Sequence, residues 1–274
     1  MKFSILFPHL RDWVLNLANV WPAYFVKPNF AIWEVFHILS LVLLGGSSIL
    51  IGLRLVGAGL TDESPADVYS GLRKWQNAGV AGVMVTGVLI GMANAERLYD
   101  SSAFLVKMIA LAAGIVLTYG AVGPTAMADG KPSGRALGAT GLAMGLWALA
   151  VWVFLTGDLI TPGLLHVLTA AALIVACVTR GRLRWIYLGG VGLILLAMYL
   201  ATHVLIPAGD LAHADPANVA LAWLMALWIA GGAVSQYLAS GARDRDRLMS
   251  RVIGYGAILI WITAAAAGRW IAFA

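Results

Sequence analysis

Long apolar runs, each close to twenty residues, dominate this chain of 274 residues. An α-helix rises about 1.5 Å per residue, so a run of about 20 apolar residues spans the hydrocarbon core of a bilayer, which is roughly 30 Å thick. Charged residues make up only 11% of the chain, against about 25% in soluble proteins. The sequence therefore predicts an all-α fold, a polytopic membrane helix bundle whose first partner is the lipid bilayer.

About eight segments are long and apolar enough to be transmembrane helices. Glycine- and proline-containing stretches that favour turns separate them, and an even number of crossings puts both termini on the same side of the membrane. The predicted spans are approximately 31–53, 76–95, 103–123, 135–157, 163–179, 185–206, 218–239 and 252–273.

The basic residues predict which side faces the cytoplasm. Twelve of the 18 lysines and arginines lie in or beside the connections that follow the first, third, fifth and seventh spans. Cytoplasmic loops carry such an excess, so we expect a multi-pass protein of a bacterial inner (cytoplasmic) membrane with both termini in the periplasm. The asymmetry explains the net positive charge, which is then no argument for nucleic acid as a partner. The twelve residues are Arg54, Arg73, Lys74, Lys131, Arg135, Arg180, Arg182, Arg184, Arg243, Arg245, Arg247 and Arg251.

The spans suggest three parts. Residues 1–30 form an N-terminal segment, residues 31–160 a first four-helix transmembrane unit and residues 161–274 a second. Apolar residues recur at helical spacing in the N-terminal segment, which predicts an amphipathic helix on the outer membrane surface. A simple lead-in to the first span is the alternative. The apolar positions are Leu6, Leu10, Trp13, Val14 and Leu17.

Two short matches suggest an internal repeat. Residues 37–40, His-Ile-Leu-Ser, match residues 166–169, His-Val-Leu-Thr, by residue type. Residues 135–138, Arg-Ala-Leu-Gly, match residues 251–254, Arg-Val-Ile-Gly, in the same way. A possible 4+4 parallel internal repeat explains both matches, and membrane repeats place their sites at the interface between the copies.

His37 is the strongest candidate for a functional residue, because an ionisable side chain inside a membrane span is costly. Glu34 precedes it by three residues, which places carboxylate and imidazole on one helix face. The carboxylate could orient the ring of a metal-bound histidine, be a ligand itself, or belong to a proton path. A structural hydrogen bond between helices is the alternative.

His166 and His203 form a second candidate pair, because the fifth span begins and the sixth ends on the same predicted side. Two neutral imidazoles can bind haem iron from opposite faces or join further ligands around copper. Two separate histidines at the level of the lipid headgroups are the alternative.

Three basic residues lie near the outer ends of predicted spans, namely Arg97, Lys107 and Arg269. Long cationic side chains in such positions usually extend to the headgroups. Together they could also bind a quinone oxygen or haem propionates. The chain has one cysteine, which excludes a disulfide within it and the Cys-x-x-Cys-His motif of covalent haem attachment.

Several of these residues carry a resemblance to a known family. The stretches 34–40, 52–57, 75–87 and 97–99, together with Lys107, resemble a bacterial four-helix integral membrane family of uncharacterised function. The closing residues 267–273 are similar to the C-terminal end of that family. The family is distantly similar to copper resistance protein D and to membrane cytochrome b bundles, which hold haem through histidine, so the resemblance implies haem or copper.

The favoured functional hypothesis is an integral membrane subunit that binds haem b and passes electrons between quinone and a periplasmic redox partner. Its cofactor-binding residues would be Glu34, Arg97, Lys107 and Arg269, with His37, His166 and His203 as metal ligands. One alternative is an accessory structural subunit of a larger membrane complex without its own cofactor. The other is copper binding or transport, against which the shortage of cysteine counts. An electron-transfer or accessory subunit is favoured over a self-contained enzyme.

Overall fold

A computed structural model describes residues 1–155, 162–207 and 210–271 of the chain. The structure is 87% helical, and no strand occurs in these described ranges. It therefore confirms the predicted all-α fold.

The α-helices follow one another through short connections. Two π-helical turns, at Thr118–Val122 and Ala201–Leu205, extend α7 and α11. Within the described residues the helices are α1 (Phe3–Leu6), α2 (Arg11–Leu17), α3 (Ala23–Val26), α4 (Phe30–Val56), α5 (Pro65–Ala93), α6 (Ala95–Tyr99), α7 (Ser102–Leu117), α8 (Gly123–Met127), α9 (Gly134–Leu155), α10 (Pro162–Val178), α11 (Gly181–Leu200), α12 (Leu211–Ala239) and α13 (Ala242–Trp270).

Seven helical segments in the described residues are long and apolar enough to cross a membrane. They correspond to seven of the eight predicted spans, so the chain is a multi-pass membrane protein. The predicted fifth span corresponds to α10, whose described apolar part, Leu168–Val178, is shorter than a crossing. The seven segments are Ala23–Val56, Pro65–Ala93, Ser102–Met127, Gly134–Phe154, Gly181–Leu205, Pro216–Ala239 and Arg245–Trp270.

Capping explains where the helices begin and end. The predicted second span starts at residue 76, whereas α5 starts at Pro65. The hydroxyl oxygen of Ser64 accepts a hydrogen bond from the backbone N–H of Asp67 (3.1 Å), and proline is well suited to the first helical position. These residues extend α5 beyond its apolar run. At the other end of α4, Gly57 adopts a left-handed conformation (φ 81°) that closes the helix.

The chain divides into two compact units. Unit 1 comprises Met1–Leu159 and Met249–Ala274, and unit 2 comprises Ile160–Leu248. In this division α13 from Met249 onward groups with the first four spans, and the predicted four-helix units 31–160 and 161–274 stay a prediction. Both α9 and α13, which carry one of the two sequence matches, therefore contribute to unit 1.

Glycines allow α13 to pack tightly within unit 1. A Cβ atom on Gly52 of α4 would lie 2.8 Å from the carbonyl oxygen of Gly254 on α13, so the two backbones are nearly in contact. A Cβ on Gly114 of α7 would lie 2.9 Å from the ring of Trp261. The indole Nε1 of Trp147 in α9 donates to the Thr263 hydroxyl (3.1 Å). Through these contacts α13 packs against α4, α7 and α9.

The N-terminal segment packs on α6. It consists of the short helices α1, α2 and α3 rather than the single amphipathic helix that the periodicity predicts. The Tyr99 hydroxyl donates to the carbonyl oxygen of Phe7, while Trp13 and Trp21 are exposed. The apolar contact with α6 consists of Phe3, Leu10, Val14, Leu17, Ala95 and Tyr99.

Unit 2 is built around α12, which packs against both α10 and α11. The Tyr187 hydroxyl donates to the carbonyl oxygen of Ala172 (3.1 Å), and the Trp228 indole donates to the carbonyl oxygen of Tyr187 (3.0 Å). These two hydrogen bonds link α10, α11 and α12 through the side chains of buried Tyr187 and partly buried Trp228.

Candidate functional site

The imidazole of His37 lies inside unit 1 and contacts two other membrane-spanning helices. Its ring is buried, with 7% of the residue exposed. On one side, Nδ1 lies 2.8 Å from the hydroxyl oxygen of Thr86 in α5. On the other, Nε2 lies 3.2 Å from Nζ of Lys107 in α7. We call these three residues the His37 site.

The hydrogen bonds determine which ring nitrogen carries the proton. The Thr86 hydroxyl donates to the carbonyl oxygen of Gly82 (2.6 Å), so its oxygen is left to accept from Nδ1–H of His37. Nε2 is then unprotonated and accepts from the ammonium of Lys107, which has no acceptor of its own. This inference from the hydrogen-bond network makes His37 a neutral imidazole with both nitrogens engaged.

Small residues make room for the His37 site. A Cβ on Gly87 would lie 3.3 Å from Cε1 of His37, which is a tight contact. A Cβ on Gly268 of α13 would lie 3.5 Å from Nζ of Lys107 and 3.6 Å from its Cε. The lysine side chain therefore runs along α13 before it reaches the imidazole, and its position depends on that helix.

Glu34 lies one turn before His37 on α4 and is exposed. It interacts electrostatically with Lys107. Lys107 interacts with both residues, through a hydrogen bond to Nε2 of His37 and electrostatically with Glu34. An exposed carboxylate therefore influences the half-buried ammonium of Lys107.

The other basic candidates of unit 1 lie at the same end of the helices. Arg97 in α6 is exposed and donates through Nη2 to the carbonyl oxygen of Ile271 (2.9 Å). Arg269 is exposed in the last turn of α13. These positions suit contacts with lipid headgroups and the helix C-terminus.

The histidines of unit 2 have different surroundings. His203 is exposed in the π-helical turn, and its ring stacks on Tyr199 at 4.8 Å with its Nδ1 3.3 Å from the Tyr199 carbonyl oxygen. His166 belongs to α10, but its side chain lies outside the described part of the structure. The pairing of His166 with His203 stays a prediction.

Neither ring nitrogen of His37 has a free lone pair for a haem iron in this arrangement. Iron would need the lone pair of one ring nitrogen, yet Nε2 accepts from Lys107 and Nδ1 donates to Thr86. Iron binding there requires Lys107 to leave. Among the residues that the structure describes, no three His, Cys, Asp or Glu side chains form a group that could hold a metal ion. Haem b and copper stay predictions.

Thr86 is the member of the site that sequence reasoning missed. The sequence gives only a weak indication of Thr86, because a single threonine in an apolar span is common and can donate a hydrogen bond to its own helix. Only the approach of α4 and α5 shows that its oxygen receives the imidazole proton.

Replacing Thr86 by valine is expected to lower the free energy of unfolding by about 1–3 kcal/mol, because buried Nδ1–H loses its acceptor. Thermal unfolding in detergent measures the change. Thr86→Ser keeps the hydroxyl and is the matched control. Equal stability of the valine variant and the wild type would contradict the assigned tautomer.

Comparison with known proteins identifies part of unit 1. Residues 27–153 match a family described as a family of unknown function (DUF6644). The match spans just under half of the chain and includes His37, Thr86 and Lys107. Neither a curated protein nor a solved structure matches the chain significantly. Nothing in these comparisons links it to copper resistance protein D or cytochrome b.

Proposed function

We propose that the chain is a quinone-binding membrane subunit of a redox complex, and that Lys107, held in place by His37, binds the quinone headgroup. The observation that carries the proposal is the Lys107 ammonium, held 3.2 Å from Nε2 of a buried neutral imidazole within the membrane-spanning part of unit 1. Ionisable groups in that position are functional candidates by default. The proposal keeps the predicted exchange of electrons with quinone and leaves the redox centre to a partner protein.

Quinone chemistry suits the donors of this site. A quinone headgroup has two carbonyl oxygens that accept hydrogen bonds and an apolar ring that travels in the bilayer. The ammonium of Lys107 has three N–H donors, and the bond to His37 uses one, which leaves two for a carbonyl oxygen. A charge-assisted hydrogen bond strengthens as negative charge develops on that oxygen. The positive charge therefore favours an anionic, reduced headgroup over the neutral oxidised one.

The neighbouring residues supply a route for protons. Conversion of a quinone to a quinol takes two electrons and two protons, and the electrons would come from the redox partner. Lys107 would give one proton from Nζ to the oxygen that it binds and regain one from water by way of exposed Glu34, with which it interacts electrostatically. The second proton would reach the opposite oxygen of the headgroup from water. His37 accepts from Lys107 and holds it in place. Quinol oxidation runs the same transfers in reverse.

Titration of the full chain in lipid nanodiscs with decylubiquinone tests the proposal. Binding is followed by isothermal calorimetry, and decylbenzene, which has the apolar tail without carbonyl oxygens, is the control ligand. We expect saturable binding of decylubiquinone and only partitioning of decylbenzene. Identical behaviour of the two ligands would overturn the proposal and favour an accessory subunit. A haem Soret band in the purified protein would instead favour the haem b alternative.

The direction of proton exchange depends on orientation, which we propose to be that of the positive-inside rule. Green fluorescent protein fused after Asp244 is expected to be fluorescent, and alkaline phosphatase fused there inactive, because that loop would be cytoplasmic. Fusions after Asp210 on the opposite side are the control and should show the reverse pattern. The inverted result would place the His37 site towards the cytoplasm.

A further inference from the structure

A second group of buried polar side chains lies in unit 1, three helical turns from the His37 site. It consists of Ser48 in α4, Gln76 in α5, Thr118 after α7 and Trp261 in α13, which we call the Gln76 cluster. Ser48 follows His37 by eleven residues, and Thr118 follows Lys107 by the same number. That spacing is about 16 Å along a helix and returns to nearly the same helix face.

An apolar layer separates the two polar groups. It includes Leu44 of α4 and Val83 of α5, each of which lies between the two polar positions on its own helix. The ring of Trp261 belongs to this layer, and its Nε1 reaches the Gln76 cluster. The buried members of the layer are Leu44, Val83, Ala110, Leu111, Trp261 and Ala264.

The hydrogen bonds of the cluster can be assigned one by one. The Ser48 hydroxyl donates to the carbonyl oxygen of Leu44 (2.7 Å), so its oxygen accepts from Nε2 of Gln76 (3.0 Å). Nε1 of Trp261 donates to the hydroxyl oxygen of Thr118 (3.2 Å). The two hydroxyl oxygens lie 3.5 Å apart, which is a weak contact. The Thr118 hydroxyl proton is therefore available for a better acceptor.

The side-chain oxygen Oε1 of Gln76 is the atom of this cluster that lacks a hydrogen bond. Gln76 is fully buried, and its Oε1 accepts no hydrogen bond from any residue that the structure describes. A buried acceptor without a donor is unfavourable and rare. Rotating the amide by 180° would only exchange an unpaired acceptor for an unpaired donor. The cluster thus needs a donor from outside the chain.

We propose that the Gln76 cluster binds one water molecule, which donates to Oε1 of Gln76 and accepts from the Thr118 hydroxyl. The cluster contains no carboxylate that would neutralise a cation. An anion would find the N–H groups of Gln76 and Trp261 already donating to hydroxyl oxygens. A small neutral molecule that both donates and accepts satisfies the remaining groups, and two to four polar partners are typical of buried water. Unit 1 then holds a buried water that the apolar layer separates from the His37 site. The proposal is independent of quinone binding.

Radiolytic labelling in oxygen-18 water tests this site on the full chain in nanodiscs. Hydroxyl radicals formed from a bound water label neighbouring side chains even where these are buried, and mass spectrometry locates the label. We expect several-fold more label on Trp261 than on Trp147. Trp147 is the matched control, because it is also buried and also donates to a threonine hydroxyl. Equal labelling of the two tryptophans in the wild type would overturn the proposal.

A Gln76 variant provides a second test of the proposed water. Gln76→Leu removes the unpaired acceptor, so the label on Trp261 should fall to the level of Trp147. Unchanged labelling of Trp261 in a folded variant would contradict the proposed water. Failure of this variant to fold leaves the wild-type comparison of Trp261 with Trp147 to decide.

Discussion

Replacement of Lys107 by methionine is expected to weaken decylubiquinone binding roughly 10- to 100-fold. A hydrogen bond to a charged group contributes about 1.5–3 kcal/mol, and about 1.4 kcal/mol corresponds to a factor of ten in affinity. Methionine keeps an unbranched side chain that can lie along Gly268 as the lysine does, so the change removes the donor and leaves most of the packing. Calorimetric titration in nanodiscs measures the affinity.

Lys74→Met is the matched control for this prediction. Lys74 is an exposed lysine of α5 whose ammonium lies 5.5 Å from the Trp75 ring centre. Its replacement makes the same chemical change away from the His37 site, and we expect unaltered affinity. Equal affinity of Lys107→Met and Lys74→Met would show that the ammonium at His37 does not bind the headgroup.

Replacement of Gly254 by valine is expected to give the largest loss of stability. A Cβ atom on Gly254 would overlap the carbonyl oxygen of Gly52 and lie 2.9 Å from Cγ2 of Val56. Backbone atoms cannot move aside as a flexible side chain can, so α13 must separate from α4. Overpacking of a tight contact costs about 1–3 kcal/mol and sometimes more. Thermal unfolding of the detergent-solubilised protein should show a lower midpoint.

The control for Gly254→Val is Gly46→Val on α4, because a Cβ on Gly46 would have no atom within 4 Å. We expect that variant to unfold close to the wild-type temperature. If both variants unfold alike, the contact between α4 and α13 does not determine the stability of unit 1. Separation of α13 should also displace Lys107, which runs along Gly268.

The membrane-spanning helices were largely predictable, because length and hydropathy alone identify a crossing. The ends of these helices were less predictable, because local capping residues determine them. The start of α5 at Pro65 depends on Ser64 and Asp67, which lie outside its apolar run. The grouping of α13 with unit 1 depends on the approach of Gly52 to Gly254, about two hundred residues apart in sequence. A single sequence does not reveal which glycines meet.

The sequence singled out two residues of the His37 site, His37 and Lys107, but not Thr86 and not the contacts among the three. The cost of burying an ionisable group singled out His37, and helical spacing added Glu34. The prediction of a metal ligand assumed an imidazole with a free nitrogen lone pair, and it stays a prediction. Lys107 was expected to extend to the headgroups, whereas its Nζ lies 3.2 Å from the imidazole. The contact between Lys107 and His37 depends on how α4, α5 and α7 pack together. Periodicity within one helix contains no information about that packing.

Photolabelling with an azido-quinone tests the account most directly, because it reports where the headgroup binds. The full chain in nanodiscs is illuminated with the probe, with and without excess decylubiquinone, and the labelled peptides are mapped by mass spectrometry. The account predicts label on α4 and α7 around His37 and Lys107, removed by the competitor and strongly reduced in Lys107→Met. Label confined to other helices, or label around His37 that decylubiquinone does not displace, would contradict it.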